Sequence, residues 1–218
     1  MSTMQVDEKV ALLFQNSSLF QNKKADDILS FKMDEITPGA LLGKGEFCNV
    51  REISSIDPDY DHTTYTESHE LFSQGEDTQK MVLKKAIIAS NCFNTNGKKY
   101  VIKYLNEEAR LIPSHFETAI SDITVETKFL AALRHPHIIK LHGFNKDELF
   151  SSDYFMVLER LEITLFSVMH DWRISSENKL METVVRTRSK KRMKWSIHNI
   201  LKILSSVSSA LSYLHKKR

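Results

Sequence analysis

Glycine is scarce in this chain: six residues in 218, beside two cysteines and a formal net charge of only +2. Long apolar runs are missing as well. Each shortage excludes something. Two cysteines, Cys48 and Cys92, cannot build a disulfide framework, and the composition fits a reducing compartment. So small a net charge gives no electrostatic reason for nucleic acid or a membrane surface to be the main partner. A membrane-spanning helix needs about 18 or more apolar residues in succession, and no run approaches that. The first residues include early acids and lack the apolar core of a secretory leader. The expectation is a soluble intracellular protein, in the cytoplasm or, with its basic run at 186–194, the nucleus. What is present is ordinary: 41% hydrophobic and 27% charged residues can bury a core, as one domain or most of a larger one.

Against that scarcity, two glycines one residue apart stand out. Residues 41–50 read L-L-G-K-G-E-F-C-N-V, with Gly43 and Gly45 flanked by apolar, strand-like residues. Glycine lets a backbone turn tightly and approach a ligand with no Cβ in the way. Exposed amide N–H groups in such a turn can face phosphate oxygens. Taken alone, the pair is more simply an ordinary hairpin turn. Two isolated charges downstream change that reading. Lys103 stands alone among apolar residues in Y-V-I-K-Y-L, residues 100–105, a strand pattern. Glu126 falls on the apolar face of a helix pattern, three residues after Ile123 and four before Leu130. A carboxylate in an apolar stripe needs a cation or donor opposite it, and Lys103 is the natural partner. The plainer alternative is a helix-edge glutamate reaching water.

Along the chain, residues 1–33 mix short apolar pieces with polar ones and read as a loosely ordered arm. Residues 36–42 and 47–53 read as a hairpin about the glycines. Residues 56–80 are acidic and read as solvated, the larger part of an acidic insertion from about 56 to 97. His62 and His69 lie among its carboxylates at spacings that match no metal motif. Residues 81–89 are apolar and fit a helix or a strand, and Asn94-Thr95-Asn96-Gly97 is a turn signal. A third strand at 98–105 precedes a helix at 114–134. A fourth strand starts within H-P-H-I-I-K-L, residues 135–141, and a fifth spans 154–159. His135, His137 and His142 are read with that turn, not as ligands. A short amphipathic helix at 164–172 follows. The basic run at 186–194 is a solvated loop, a nuclear-import signal or an anion-docking patch. Ile197–His215 is a strongly amphipathic helix.

In this order, the segments resemble the small lobe of the eukaryotic protein kinases and the start of their large lobe. The matching pieces are the glycine loop, the strand lysine, the helix glutamate and L-R-H-P-H-I-I-K-L with His135 nine residues beyond Glu126. Y-F-M-V-L-E running into a hinge at 160–162 and a helix ending S-A-L-S-Y-L-H complete the series. The resemblance implies an α+β fold: an antiparallel sheet of about five strands with one helix. That kinase-like small lobe would span 34–161, after the arm over 1–33, and the first helices of a truncated large lobe would occupy 162–218. It implies ATP as ligand, with a protein substrate or a regulatory protein as partner. Leu42, Gly43, Lys44, Gly45, Glu46, Phe47 and Val50 would cover the nucleotide. Val101, Leu158 at the gatekeeper position, and the backbone of Glu159 and Leu161 would surround adenine. Lys103, aimed by Glu126, would meet the phosphates, and these two are the catalytic residues it assigns. Leu130 and Leu141 would stack between helix and fourth strand.

Departures from the family pattern are equally legible. The linker of some forty residues between second and third strands replaces a short turn. Cys48 stands where a third glycine is common, and Val101 where alanine is usual. No H-R-D or D-F-G sequence occurs in the 218 residues, and His170-Asp171-Trp172 is no substitute. The aspartates for the substrate hydroxyl and for Mg²⁺ belong to those motifs. The expectation is a chain that ends before them, holds part of an ATP site and, alone, transfers phosphate poorly or not at all. With the full domain, transfer to Ser/Thr hydroxyls is favoured over Tyr, and Mg²⁺ is expected only then. Two alternatives stay open: a non-catalytic kinase-like regulatory or binding module, and an unrelated helix–sheet domain in which Lys103 and Glu126 do not pair.

Overall fold

Successive side chains of a strand point to opposite faces of its sheet. Residues 100–105 therefore send Val101, Lys103 and Leu105 one way and Tyr100, Ile102 and Tyr104 the other. Apolar residues on both sides call for cover on both sides. The computed structural model, which describes residues 28–58, 76–92, 99–145, 151–167, 169 and 197–217, provides it. The fold is α+β. The chain divides into two compact units, one running to Arg160 and the other Leu161–Lys216.

The first unit is built on one six-stranded sheet. Its strands are β1 (Leu29–Ser30), β2 (Ile36–Lys44), β3 (Cys48–Ile56), β4 (Tyr100–Leu105), β5 (Leu141–Phe144) and β6 (Phe155–Glu159), in the order β1-β5-β6-β4-β3-β2. All pairings are antiparallel except β1 with β5. The sheet is thus mixed, not the purely antiparallel sheet of about five strands expected. The extra strand comes from the end of the supposed arm. Ile28 packs on one face while Leu29 and Phe31 pack on the other, so residues 28–31 are core and not a loose lead-in. The rest of the arm lies outside the described residues.

On the face of Val101 and Leu105 lie α2 (Glu107–Leu111) and α3 (Pro113–Ala132). Pro113 opens α3, where its missing N–H costs no hydrogen bond. Ala119, Ile120, Ile123, Thr124, Thr127 and Leu130 form its buried stripe at helical spacing. Leu130 and Leu141 share this core with Val101, Met156 and Leu158. On the other face, α1 (Glu76–Asn91) lays Met81, Ile88 and Ala89 against Ile53, Ile102, Phe155 and Val157. The apolar piece at 81–89, open between helix and strand in the sequence, is helical and covers a sheet face. Lys85 fixes it there, its ammonium 2.6 Å from the Glu35 carboxylate, whose side chain is 2% exposed. The acidic first half of the insertion lies mostly outside the described residues, as do His62, His69 and the basic run.

Edge strand β2 is largely exposed and irregular, with register shifts flanking Pro38. Proline and bulges are what an edge tolerates and what discourages further pairing. In the second unit, the Thr164 hydroxyl accepts the Ser167 N–H at 3.1 Å and starts a helical turn at 165–167. The remainder of the expected 164–172 helix is not described, apart from helical Met169. The other element is α4 (Ile197–His215), with Leu201, Leu204, Val207, Leu211 and Leu214 exposed along it. Among the described residues, no helix is long and apolar enough to cross a membrane.

Two outcomes follow from this packing. A Cβ on Gly143 would sit 2.4 Å from Phe31 Cε2 and 2.8 Å from the Leu29 carbonyl. Gly143→Ala should lower stability by about 1–3 kcal/mol, read as a lower urea midpoint at unchanged slope. The loss should shrink in a Phe31→Leu background, where half of the clash is gone. His142 stacks edge-on against Tyr100, and burial, aided by the cations Lys140 and Arg134, pushes its pKa down to about 4 from 6.5. The unfolded state then binds the proton first, so stability falls as pH drops from about 6.5 towards 4. In His142→Gln, the plot of unfolding free energy against pH should be flatter across that window.

Candidate functional site

The turn between β2 and β3 is closed by the Gly45 N–H donating to the Cys48 carbonyl at 2.8 Å. A Cβ on Gly45 would meet that carbonyl at 3.3 Å, so the residue suits a close backbone approach. Gly43 has open space where a side chain would project. The loop is tied down from one side by Asn106, the residue linking β4 to α2. Its amide donates to the carbonyls of Glu46 at 2.8 Å and Gly45 at 3.3 Å, and its backbone N–H to that of Phe47 at 2.9 Å. Phe47 meets His115 of α3 edge to face, ring centres 5.8 Å apart.

Strand register places Val50 beside Lys103. From β4, the Lys103 ammonium reaches across to α3 and meets the Glu126 carboxylate at 2.5 Å. The pair is not fully enclosed, however: the side chains are 23% and 39% exposed. The expectation that each charge would be buried and tolerable only through the other is therefore too strong. A pair this open to water contributes about 0–1 kcal/mol to stability.

Loop, strand and helix bound a cleft of about 500 Å³. Of the residues singled out in the sequence, Gly43, Lys44, Gly45, Glu46, Phe47, Val50, Lys103 and Glu126 line it together. Leu42, Val101, Leu158, Glu159 and Leu161 do not. Val101 and Leu158 are paired neighbours on β4 and β6, 5% and 4% exposed within the α3-side core. Leu42 is exposed, as is Leu161, which belongs to the second unit. The Glu159 N–H bonds the Lys140 carbonyl at 3.1 Å, and its carboxylate accepts the Lys140 N–H at 2.8 Å. Its neighbour Arg160 lies 3.0 Å from Glu52 of β3.

Three features in and around the cleft escaped the sequence reading. Asp122 is one helical turn before Glu126 and adds a second carboxylate from α3. Asn106, ahead of E-E-A-R-L, is a helix-start signal that was available and overlooked. Ala119 and Ile123 line the cleft from a stripe already read as core. Lys44 and Lys103 thus face Glu46, Asp122 and Glu126, two cations against three carboxylates. Among the described residues, no group of three or more His, Cys, Asp or Glu is placed to hold a metal ion. No family model matches the chain, and no curated protein matches it.

Cys48 also lines the cleft, and burial pushes its thiol pKa above the ordinary value. The Lys103 cation opposes that rise, while Glu126 and Asp122 add to it. Alkylation of Cys48 should therefore be slow at neutral pH, with a rate midpoint above that of a free thiol. Lys103→Met should move that midpoint upward and Glu126→Gln downward, as peptide mapping of the modified thiol at several pH values would register.

Proposed function

We propose that residues 34–161 are the nucleotide-binding small lobe of a protein-kinase-like fold and that the ligand is ATP. In a domain that also carries the catalytic and Mg²⁺-binding aspartates, this lobe would serve phosphoryl transfer to protein Ser/Thr hydroxyls. The observation that carries the reading is the ion pair. Lys103 and Glu126, 23 residues apart in sequence, meet at 2.5 Å beside a two-glycine loop. Their partial exposure makes stability a weak reason for the contact. A cation held at a fixed point next to backbone N–H groups is what polyphosphate binding requires. In phosphoryl transfer the protein mostly positions groups and compensates charge, and the lysine would do both. The adenine contacts expected of Val101, Leu158 and Glu159 rest on the resemblance alone, since none of the three lines the cleft.

A second reading is a non-catalytic kinase-like module that regulates a protein partner. The carboxylate excess around the cleft favours it, because Glu46 and Asp122 add negative charge where a bare polyphosphate would sit.

Titration calorimetry of the full chain with ATP, with and without Mg²⁺, tests the proposal. Binding in the micromolar-to-millimolar range is expected, weakened about tenfold or more by Lys103→Met, a loss of about 1.4 kcal/mol or more. The unfolding midpoint of that variant should move little. No binding of either form at millimolar ATP would end the nucleotide reading. Equal binding by Lys103→Met would remove this lysine from the site. ATP binding without transfer, in a protein that also carries the catalytic and Mg²⁺-binding aspartates, would favour the module.

A further inference from the structure

We propose that Asn106 is a positioning residue that straps the glycine loop in place before any ligand arrives. The role in ligand binding rests on the nucleotide reading; the strap itself does not. Asn106 is 2% exposed, and its side-chain amide has partners at both ends. Its Oδ1 accepts the Ala109 N–H at 2.8 Å and so caps the start of α2. Its Nδ2 donates to the carbonyls of Gly45 and Glu46, and its backbone N–H to that of Phe47. Three consecutive loop carbonyls thus converge on one buried residue. With an N–H at one end and carbonyls at the other, only one orientation of the amide satisfies both.

The consequence for the loop is physical. Turns joining two strands ordinarily belong to the least stable parts of a fold, and a mobile loop must be ordered when a ligand binds. Here much of that ordering is already done. The Phe47 ring against His115 gives a second anchor on α3, and the Cβ of Cys48 narrows the backbone choices that glycine would allow. The planar trans peptides that turn the carbonyls of Gly45, Glu46 and Phe47 towards Asn106 turn the N–H groups of Glu46, Phe47 and Cys48 away from it. Residues 45–48 line the cleft and Asn106 does not, so the strap holds the loop from outside the cleft. An anion in the cleft would meet a loop that is already formed.

The two ends of the side chain can be separated by mutation. Asn106→Ser keeps a good cap for α2 but is too short to reach the loop. Asn106→Asp keeps the cap and the shape while setting a carboxylate against two carbonyls. Amide exchange by NMR and ATP titration are measured on the full chain. In both variants the Gly45 amide, bonded to Cys48, should exchange about tenfold faster, the loss of one to two hydrogen bonds. The Ala109 amide should stay within about twofold of native, because its cap is kept. ATP affinity should fall by about three- to tenfold. Unchanged Gly45 exchange would overturn the strap, and equal loosening at Ala109 would reduce Asn106 to a helix cap. A freed loop with native ATP affinity would remove its role in binding. If native protein binds no ATP, the nucleotide reading fails on its own, and the exchange pattern still decides the strap.

Discussion

A sheet covered on both faces has little room for an unpartnered charge, and β4 puts Lys103 in the middle of one. Its strand neighbours Val101 and Leu105 point to the same face and are buried, so that face cannot move away from the ammonium. The answer lies on α3, where Glu126 interrupts an apolar stripe at the level that faces Lys103. The apolar stripe from Ala119 to Leu130 holds α3 at this height on the sheet, and the ion pair forms within that packing. The hairpin loop then has a floor made of strand on one side and helix on the other.

The loop completes the enclosure by a different means. Phe47 and Cys48 pack against the α3-side core, and hydrogen bonds fix the backbone of the turn. Asn106 supplies these from a corner that α2 needs in any case, since the same side chain caps that helix. One residue thus couples the start of α2 to the loop. An ion pair of Arg160 with Glu52, midway along β3, ties that strand to the residue that follows β6.

Much of this was legible in the sequence because it depends on local pattern. Alternation in 100–105 and the spacing of Ile123, Glu126 and Leu130 identify strand and helix without tertiary information. Two isolated charges in apolar surroundings predict each other, since each is costly alone. What was not legible depends on contacts with no local period. Residues 28–31 join the sheet because Gly143, far along the chain, leaves room for the Phe31 ring. Helix α1 carries apolar residues on several sides, with Leu83 and Ile87 exposed, so its pattern could not separate helix from strand. Asp122 looks like any solvent-facing acid until α3 is set beside the loop.

Two ion pairs of nearly equal length in this unit differ in their access to solvent. Lys85 meets Glu35 at 2.6 Å and Lys103 meets Glu126 at 2.5 Å. Geometry alone does not distinguish them; solvent does. The Glu35 side chain is 2% exposed, and its second oxygen accepts the Lys32 N–H at 2.6 Å. Removing Lys85 would leave a carboxylate with almost no access to water, a defect of about 3–5 kcal/mol when fully buried. That pair holds α1 to the sheet. Glu126, 39% exposed, can turn to water when its partner is lost, so the fold depends on it only slightly. An ammonium held in place at little benefit to stability, at the edge of a cleft and still partly solvated, remains accessible to a ligand. Of these two pairs, the one that contributes less to holding the protein together is the one left open at the cleft.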